Sequence, residues 1–331
     1  MAGILVLGEL NEGKPQTITA EMLAAARGLA EALGEEVAVA FLGSNLDGVS
    51  DEAISQGADR VYLVQDALLA EPQVDAHLAA FEQVCRQTEP TVVLVGRSTD
   101  GIIIAPRLAI RLGVGVAQDS VAVEADSGTG RVTATRPVYG GNAMAKFTFP
   151  DSNPQMVVAR GHVYEPLEPD PSRTGETVQI QVDLDPSVVR ARMVQSVTQQ
   201  TEGVRLEEAP VVIGGGRGIG GEEPFTTVLD ELARLLGGAV GASRAVCDAG
   251  WMDHSRQIGL TGKTISSDLY ITVGISGASQ HMAGCSGVKN IVAINRDADA
   301  NIFKSASFGV VGDWKKILPS FVETVRELVN S

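Results

Sequence analysis

At 331 residues the chain is long enough for about two domains, and its 44% apolar content can fill two cores. Only 4% of residues are aromatic, which disfavours a β-sandwich and fits α/β layers rich in Ala, Val, Leu and Gly. A net charge of −15 excludes the basic footprint that nucleic acid or an anionic membrane needs. No apolar run reaches the roughly 18–20 residues that span a bilayer, so direct membrane insertion is not expected.

The N-terminus, MAGILVLGEL, runs directly into a strand, so no signal peptide is expected and the chain reads as cytoplasmic. Apolar runs at 3–10, 36–43, 60–64 and 91–96 alternate with helical patterns near 18–32, 50–57, 74–87 and 102–112. Continuous Val/Leu/Ile runs mark strands buried on both faces, which predicts a parallel sheet with helices on either side. After Val114 the β segments shorten. Those at 131–136, 143–149 and 155–159 carry Gly and Pro turns and are expected to finish the same sheet as antiparallel additions.

Residues 165–207 are polar and proline-rich, with one possible strand in VQIQVDLD, and have too few apolar side chains for a core. The expected domains are therefore 1–205, ending in a connector at 190–205, and 206–331. Strand and helix then alternate again, with strands at 211–213, 268–273, 290–295 and 308–312 and an extended piece beginning at 239–240. Helices are expected at 224–236 and 314–330. The fold class is α/β, with two open doubly wound domains, the second built on a parallel sheet.

The chemistry concentrates in the second domain. Gly216-x-Gly218-x-x-Gly221 matches the dinucleotide spacing, but so glycine-rich a stretch fits many templates and the acidic residues downstream lie in a helical pattern. Arg217 within it can reach a phosphate. In Gly241-Ala242-Ser243-Arg244 the hydroxyl of Ser243 can meet a phosphate, and the planar cation of Arg244 can meet an aromatic or anionic ring. In Gln257-Ile258-Gly259-Leu260-Thr261-Gly262-Lys263 two glycines flank Thr261, so its hydroxyl and nearby N–H groups can face a flat ligand.

Ser276, Gly277, Ala278, Ser279, Gln280 and His281 follow a strand that ends at Gly274. Their backbone and hydroxyl donors suit a pyrophosphate, with His281 expected beside the ligand rather than in the core. Asn295 and Asp313 end later strands, where an amide can address ribose or base and a carboxylate can accept ribose hydroxyls. Each residue taken singly is also a plausible cap or turn residue.

No Gly-x-Ser-x-Gly elbow, Walker lysine or paired carboxylates accompany them. The four histidines lack i, i+4 pairing, and Cys85, Cys247 and Cys285 lack ligand spacing, so no metal site is expected and the thiols read as reduced. The set suits holding a charged cofactor more than transforming a substrate. A redox-inactive adenine-nucleotide-binding module and a nicotinamide dehydrogenase stay open as other readings.

At this point the residues resemble a specific family, the α subunit of electron transfer flavoproteins. Leu269-Tyr270 through Gly277, Gln280-His281, Gly284, Ala293 and Asn295 follow its signature, and the Gly-Ala-Ser-Arg, Gly-Gly-Arg-Gly and Thr261-Gly262-Lys263 turns lie in family order. In the first half, Arg136-Pro137-Val138-Tyr139-Gly140-Gly141-Asn142 and Pro154-Gln155-Met156 look like its landmarks. The resemblance implies one FAD, an obligate β subunit and a first domain of nucleotide-hydrolase type similar to that subunit. It also implies electron carriage from flavoprotein dehydrogenases, such as the acyl-CoA dehydrogenases of fatty acid β-oxidation, to a quinone oxidoreductase or another acceptor.

By carry-over, Arg217, Ser243, Gln257–Thr261, Ser276–His281, Asn295 and Asp313-Trp314 would line the FAD. Arg244 would lie over the isoalloxazine ring, Thr261 near its N5 and His281 near its C2 carbonyl. Cationic side chains there would favour the negative charge that reduction brings. Leu260 stands where the family usually has glutamine, and Ser279 where it has a branched aliphatic residue. An electron-bifurcating relative that oxidises NADH through a second FAD in the β subunit shares the same α-chain pattern.

Overall fold

The computed structural model describes residues 3–11, 13–71, 73–139, 143–191, 204–285 and 287–329. Internal contacts divide the chain into two compact units, Met1–Pro137 with Met144–Val197, and Val138–Ala143 with Thr198–Ser331. Most of the connector expected at 190–205 lies outside the described residues.

The first unit starts with β1 (Ile4–Gly8), the short hairpin β2 (Leu10–Asn11) and β3 (Lys14–Pro15), α1 (Thr17–Leu33) and β4 (Val37–Gly43). It continues through α2 (Val49–Ser55), β5 (Arg60–Gln65), α3 (Val74–Thr88), β6 (Val92–Gly96), α4 (Gly101–Leu112) and β7 (Val116–Ser120). Three strands follow, β8 (Ala122–Asp126), β9 (Arg131–Val138) and β10 (Ala143–Thr148), and then β11 (Gln155–Ala159) and β12 (Glu176–Gln179). The main sheet has the order β12-β5-β4-β1-β6-β11-β7, with every pairing parallel.

Strand β1 shows why. Ile4 and Val6 pack with Met22 and Leu29 of α1, while Leu5 and Leu7 pack with Phe81 of α3 and Leu108 of α4. A strand with apolar side chains on both faces needs helices on both faces.

Two expectations are corrected here. Gln155–Ala159 is parallel and sits between β6 and β7, because all five of its residues are buried and none has a solvent side to offer. Strands β8, β9 and β10 do not extend that sheet; they form a separate three-stranded one, antiparallel between β8 and β9, whose Val132 and Ala134 join the core on the α1 side. Of the possible strand in VQIQVDLD only Val178 and Gln179 lie in a strand, as the end of β12, which borders β5 at the edge of the main sheet; residues 180–185 are not in a strand.

The second unit comprises β13 (Val211–Gly215), α5 (Glu223–Thr226), α6 (Val228–Leu235), β14 (Ala239–Ser243) and α7 (Arg244–Cys247). After these come β15 (Gln257–Ile258), β16 (Leu269–Val273), α8 (Ser279–Met282), β17 (Asn290–Asn295), β18 (Phe308–Val311) and α9 (Trp314–Val329). Its sheet, β15-β14-β13-β16-β17-β18, is parallel throughout. Ile213, Ile271 and Ile294 meet Leu232 of α6 and Leu318 and Val322 of α9 on one face, and Val212, Tyr270 and Ala293 form a core with Ile258 and Ile302 on the other. Strand order reverses between β13 and β16, the place where open α/β sheets leave a crevice at their carboxyl ends.

All three cysteines are buried, and burial pushes the thiols of Cys85 and Cys285 up to about 12 and that of Cys247 to about 11.

The glycines after β13 act in packing. A Cβ on Gly216 would lie 2.2 Å from the Gly274 carbonyl oxygen, and one on Gly218 would lie 2.9 Å from it. Gly274 itself has φ +66 and leans on the Gly218 backbone. Gly221, the third glycine of the dinucleotide spacing, faces open space, whereas that fingerprint needs it for close helix–strand contact. The segment after it is a four-residue helix, interrupted at Thr227 before α6 begins. Gly216→Ala is therefore expected to destabilise this unit by about 1–3 kcal/mol or more, from overpacking against backbone. Gly221→Ala should stay within about 0.5 kcal/mol of the wild type. Urea unfolding of both variants checks the contrast.

Candidate functional site

The crevice holds a cleft of about 820 Å³, walled by the turns after β13, β14, β15, β16 and β17. A smaller cavity of about 290 Å³ lies alongside and shares Gly218, Gly274, Asn295 and Arg296 with it. Together they have the size and the mixture of polar and apolar walls of a cofactor site.

Two turns form the floor. Gly216 N–H donates to the Val273 carbonyl at 2.8 Å and Gly218 N–H to that of Gly274 at 3.2 Å, which locks the ends of β13 and β16 together. Arg217 is thereby held at the cleft. Ser243 ends β14 and Arg244 opens α7, its Nε 3.3 Å from Asp248 with the guanidinium two-thirds exposed.

The loop after β15 is tied at several points. Gln257 Nε2 donates to Thr261 Oγ1 at 3.0 Å, Lys263 N–H returns to the Gln257 carbonyl at 2.7 Å, and Leu260 N–H donates to the Gln280 carbonyl at 2.7 Å. The last bond joins the loop to α8. Leu260 turns an apolar side chain, 46% exposed, into the cleft.

Of the residues singled out from sequence, Arg217, Ser243, Arg244, Gln257–Thr261, Ser276, Ala278, Gln280, His281 and Asn295 line the larger cleft. Asp313 and Trp314 line the smaller one. Gly277 and Ser279 are on neither wall. A Cβ on Gly277 would lie 2.2 Å from Ile302 N, so this glycine lets its turn close onto the backbone behind it; the Ser279 hydroxyl faces Gln280 Oε1 at 3.4 Å.

Asn295 and Asp313 also have structural duties. The Asn295 amide donates to the Ile275 carbonyl at 2.9 Å and accepts from Asp297 N–H, while Asp313 Oδ1 accepts from Lys315 N–H at the start of α9. Helix α8 has only four residues and contributes little N-terminal field after the β16 turn.

His281 departs most from expectation. It is only 7% exposed and belongs to the interior as much as to the cleft wall. Its Nε2 is 2.9 Å from the Tyr270 hydroxyl and its Nδ1 is 3.2 Å from the Ile258 carbonyl. A carbonyl only accepts, so Nδ1 carries the proton and Nε2 receives the phenol hydrogen. Burial lowers the imidazole to about 4, against the modest opposing pull of the Ile258 carbonyl, so the ring is neutral at pH 7 and brings no cation to the cleft.

Charge at the cleft comes instead from arginines. Among the described residues, Arg217 and Arg296 have no carboxylate within ion-pair distance, although the chain carries 41 acidic side chains against 26 basic ones. Ser243, Thr261 and Ser276 add hydroxyls, and Ile258, Leu260 and Ile275 add apolar surface. Guanidiniums with no carboxylate partner among the described residues, hydroxyls and an apolar strip fit a ligand that joins a phosphate chain to a flat ring system.

Arg296 was not singled out from sequence, though it directly follows Asn295 at the same strand end; reading one residue further would have found it. Asp248 and Asp297 also line the cleft, and no motif marks them in the sequence.

Comparison with known proteins identifies the family of the chain. Residues 4–185 match the family model described as "Electron transfer flavoprotein domain", and residues 205–286 match "Electron transfer flavoprotein FAD-binding domain". The chain belongs to the electron transfer flavoprotein family, on its alpha-subunit side. It is 40% identical to the electron transfer flavoprotein subunit alpha of Megasphaera elsdenii over 98% of this chain and 96% of that protein. The Bacillus subtilis subunit alpha is 38% identical over 98% of both chains. A subunit named LctC of a lactate dehydrogenase (NAD(+),ferredoxin) from Acetobacterium woodii is 32% identical over 99% of this chain and 78% of that one. Electron transfer, flavin binding and pairing with a beta subunit come with the family.

The neutral imidazole has a measurable signature. The folded chain holds His281 at about 4, below the ordinary 6.5, so the unfolded chain takes up this proton first as pH falls. Its contribution to stability is fully present above pH 6.5 and is lost as pH falls from there towards 4, at about 1.4 kcal/mol per unit. His281→Gln removes that slope. Chemical unfolding of both proteins between pH 4 and 8 should show their stability difference changing only below about 6.5.

Proposed function

We propose that this chain is the alpha subunit of a cytoplasmic heterodimeric electron transfer flavoprotein that holds FAD in the cleft of its second unit. The observation that carries the reading is the pair of cleft arginines, Arg217 and Arg296, which have no carboxylate partner among the described residues of a strongly acidic chain. A diphosphate supplies the charge they lack. Ser243, Ser276, Ala278 and Gln280 would add hydroxyl and backbone donors for the same group, and Asp313 and Trp314 would meet the adenosine end from the smaller cavity.

When bound, the flavin supplies the chemistry, accepting and releasing electrons. The residues of this chain adjust its surroundings. Arg244 places a guanidinium by the ring, where it favours negative charge. Thr261, held by Gln257, presents its hydroxyl at the position that the family resemblance assigns to N5. His281 keeps a neutral imidazole near the C2 carbonyl. Leu260 makes that side drier than the family's usual glutamine would. The donors would be flavoprotein dehydrogenases, such as those acting on acyl-CoA substrates, and the acceptor a quinone oxidoreductase.

The relative named as part of an NAD- and ferredoxin-linked lactate dehydrogenase supports a second reading, in which a further FAD in the beta subunit takes electrons from NADH. Anaerobic reductive titration of the heterodimer separates the two. One FAD per heterodimer, unreactive with NADH, fits the simple carrier. Two FADs, one of them reduced by NADH, fit bifurcation, and no flavin overturns both.

Arg217→Ala should weaken FAD binding about 10- to 100-fold, the usual cost of one charge-assisted hydrogen bond. Arg244→Ala should instead lower the flavin potential by about 60 mV, equivalent to a tenfold change for one electron. Flavin retention on dialysis and spectroelectrochemistry read the two effects separately.

A further inference from the structure

Tyr270 sits on β16 behind the cleft, fully buried, and lines neither cavity. The strand beside it makes room for its ring: a Cβ on Gly214 would lie 2.2 Å from the Tyr270 hydroxyl oxygen. Burial holds the phenol far above its ordinary value, so it remains a proton donor at any working pH. That donor points at His281 Nε2 from 2.9 Å, with the two rings stacked at 6.0 Å and 30°. On its other side the imidazole reaches the Ile258 carbonyl, immediately before Gly259-Leu260-Thr261.

We infer that Tyr270 is a positioning residue for the cofactor site: by donating to His281 Nε2 it fixes the imidazole as the Nδ1–H tautomer and, through the Ile258 carbonyl, sets where the Gln257–Thr261 loop stands relative to α8. The inference rests on the flavin reading above and deepens it.

The hydrogen bonds leave little freedom. With Nδ1–H required by the Ile258 carbonyl, Nε2 is an acceptor in a dry interior, and an unpartnered acceptor there is costly. Tyr270 is the donor that satisfies it. Without the hydroxyl, the ring is no longer held at both nitrogens and one of the ties between the β15 loop and α8 loosens. The second tie, from Leu260 N–H to the Gln280 carbonyl, keeps the loop folded. The glycines show how little slack there is: a Cβ on Gly259 would lie 3.0 Å from the Gln280 carbonyl oxygen, and one on Gly284 would lie 2.5 Å from Gly259 N. A small movement of the loop carries Thr261 and Leu260 with it, and both face the cleft.

The test uses the heterodimer with its beta subunit, the alpha chain labelled with nitrogen-15 histidine. Four alpha chains are compared: wild type, Tyr270→Phe, His281→Gln and the double variant. In the wild type the His281 resonances should report a single Nδ1–H tautomer between pH 6 and 8. An Nε2–H tautomer there overturns the inference without need of any variant. In Tyr270→Phe the Nε2 resonance should shift or broaden, and FAD should dissociate about three- to tenfold more readily.

In the His281→Gln background the same Tyr270 change should cost nothing further, because its effect passes through the imidazole. Unchanged His281 resonances in Tyr270→Phe, or losses that simply add in the double variant, would overturn the role. If the wild-type heterodimer holds no flavin, the functional reading fails, while the tautomer still reports on Tyr270 by itself.

Discussion

The backbones of two turns touch in the second unit, and the site depends on that contact. Strands β13 and β16 are neighbours at the place where strand order reverses, so the turns leaving them compete for the same space. They share it because Gly216, Gly218 and Gly274 carry no side chains there, and hydrogen bonds between the two turns then hold them together. Arg217 is fixed on one turn, and Ser276 through His281 follow the other. A bulkier residue at any of the three glycines would part the turns and separate these groups. The glycine content that from sequence suggests close approach of a ligand serves, at these positions, close approach of the chain to itself.

Much of this was legible in advance, for a simple physical reason. Strands buried on both faces must be apolar throughout, so β1, β4, β6, β16 and β17 stand out as uninterrupted runs, and polar groups at their carboxyl ends mark the crevice. The expectation failed where the same signal was weaker. Gln155–Ala159 is a short run among Gly- and Pro-containing neighbours, and only its complete burial shows that it is an inner, parallel strand. Strands β8 to β10 carry mixed patterns because they form a small sheet with one solvated side.

Side-chain roles were harder to read than side-chain locations. The sequence places His281 one turn beyond a strand end, and it does lie on the cleft wall. Its partners come from residues 11 and 23 positions away, a pairing that no local pattern reveals. Asn295 and Asp313 show a related ambiguity, since an amide or carboxylate at a strand end suits ribose and also suits the backbone beside it. The charge pattern is clearer: among the described residues of an acidic chain, Arg217 and Arg296 at one cleft have no carboxylate partner, an arrangement that suits an anionic ligand.

The three buried thiols bear on how such a protein tolerates its own cofactor. A reduced flavin that meets oxygen generates peroxide, and peroxide attacks thiolates rather than thiols. Cys85, Cys247 and Cys285 are shielded from solvent and held far above neutral pH in their protonated form. They offer an oxidant almost no reactive sulfur. For these three thiols, resistance to oxidation follows from ordinary core packing.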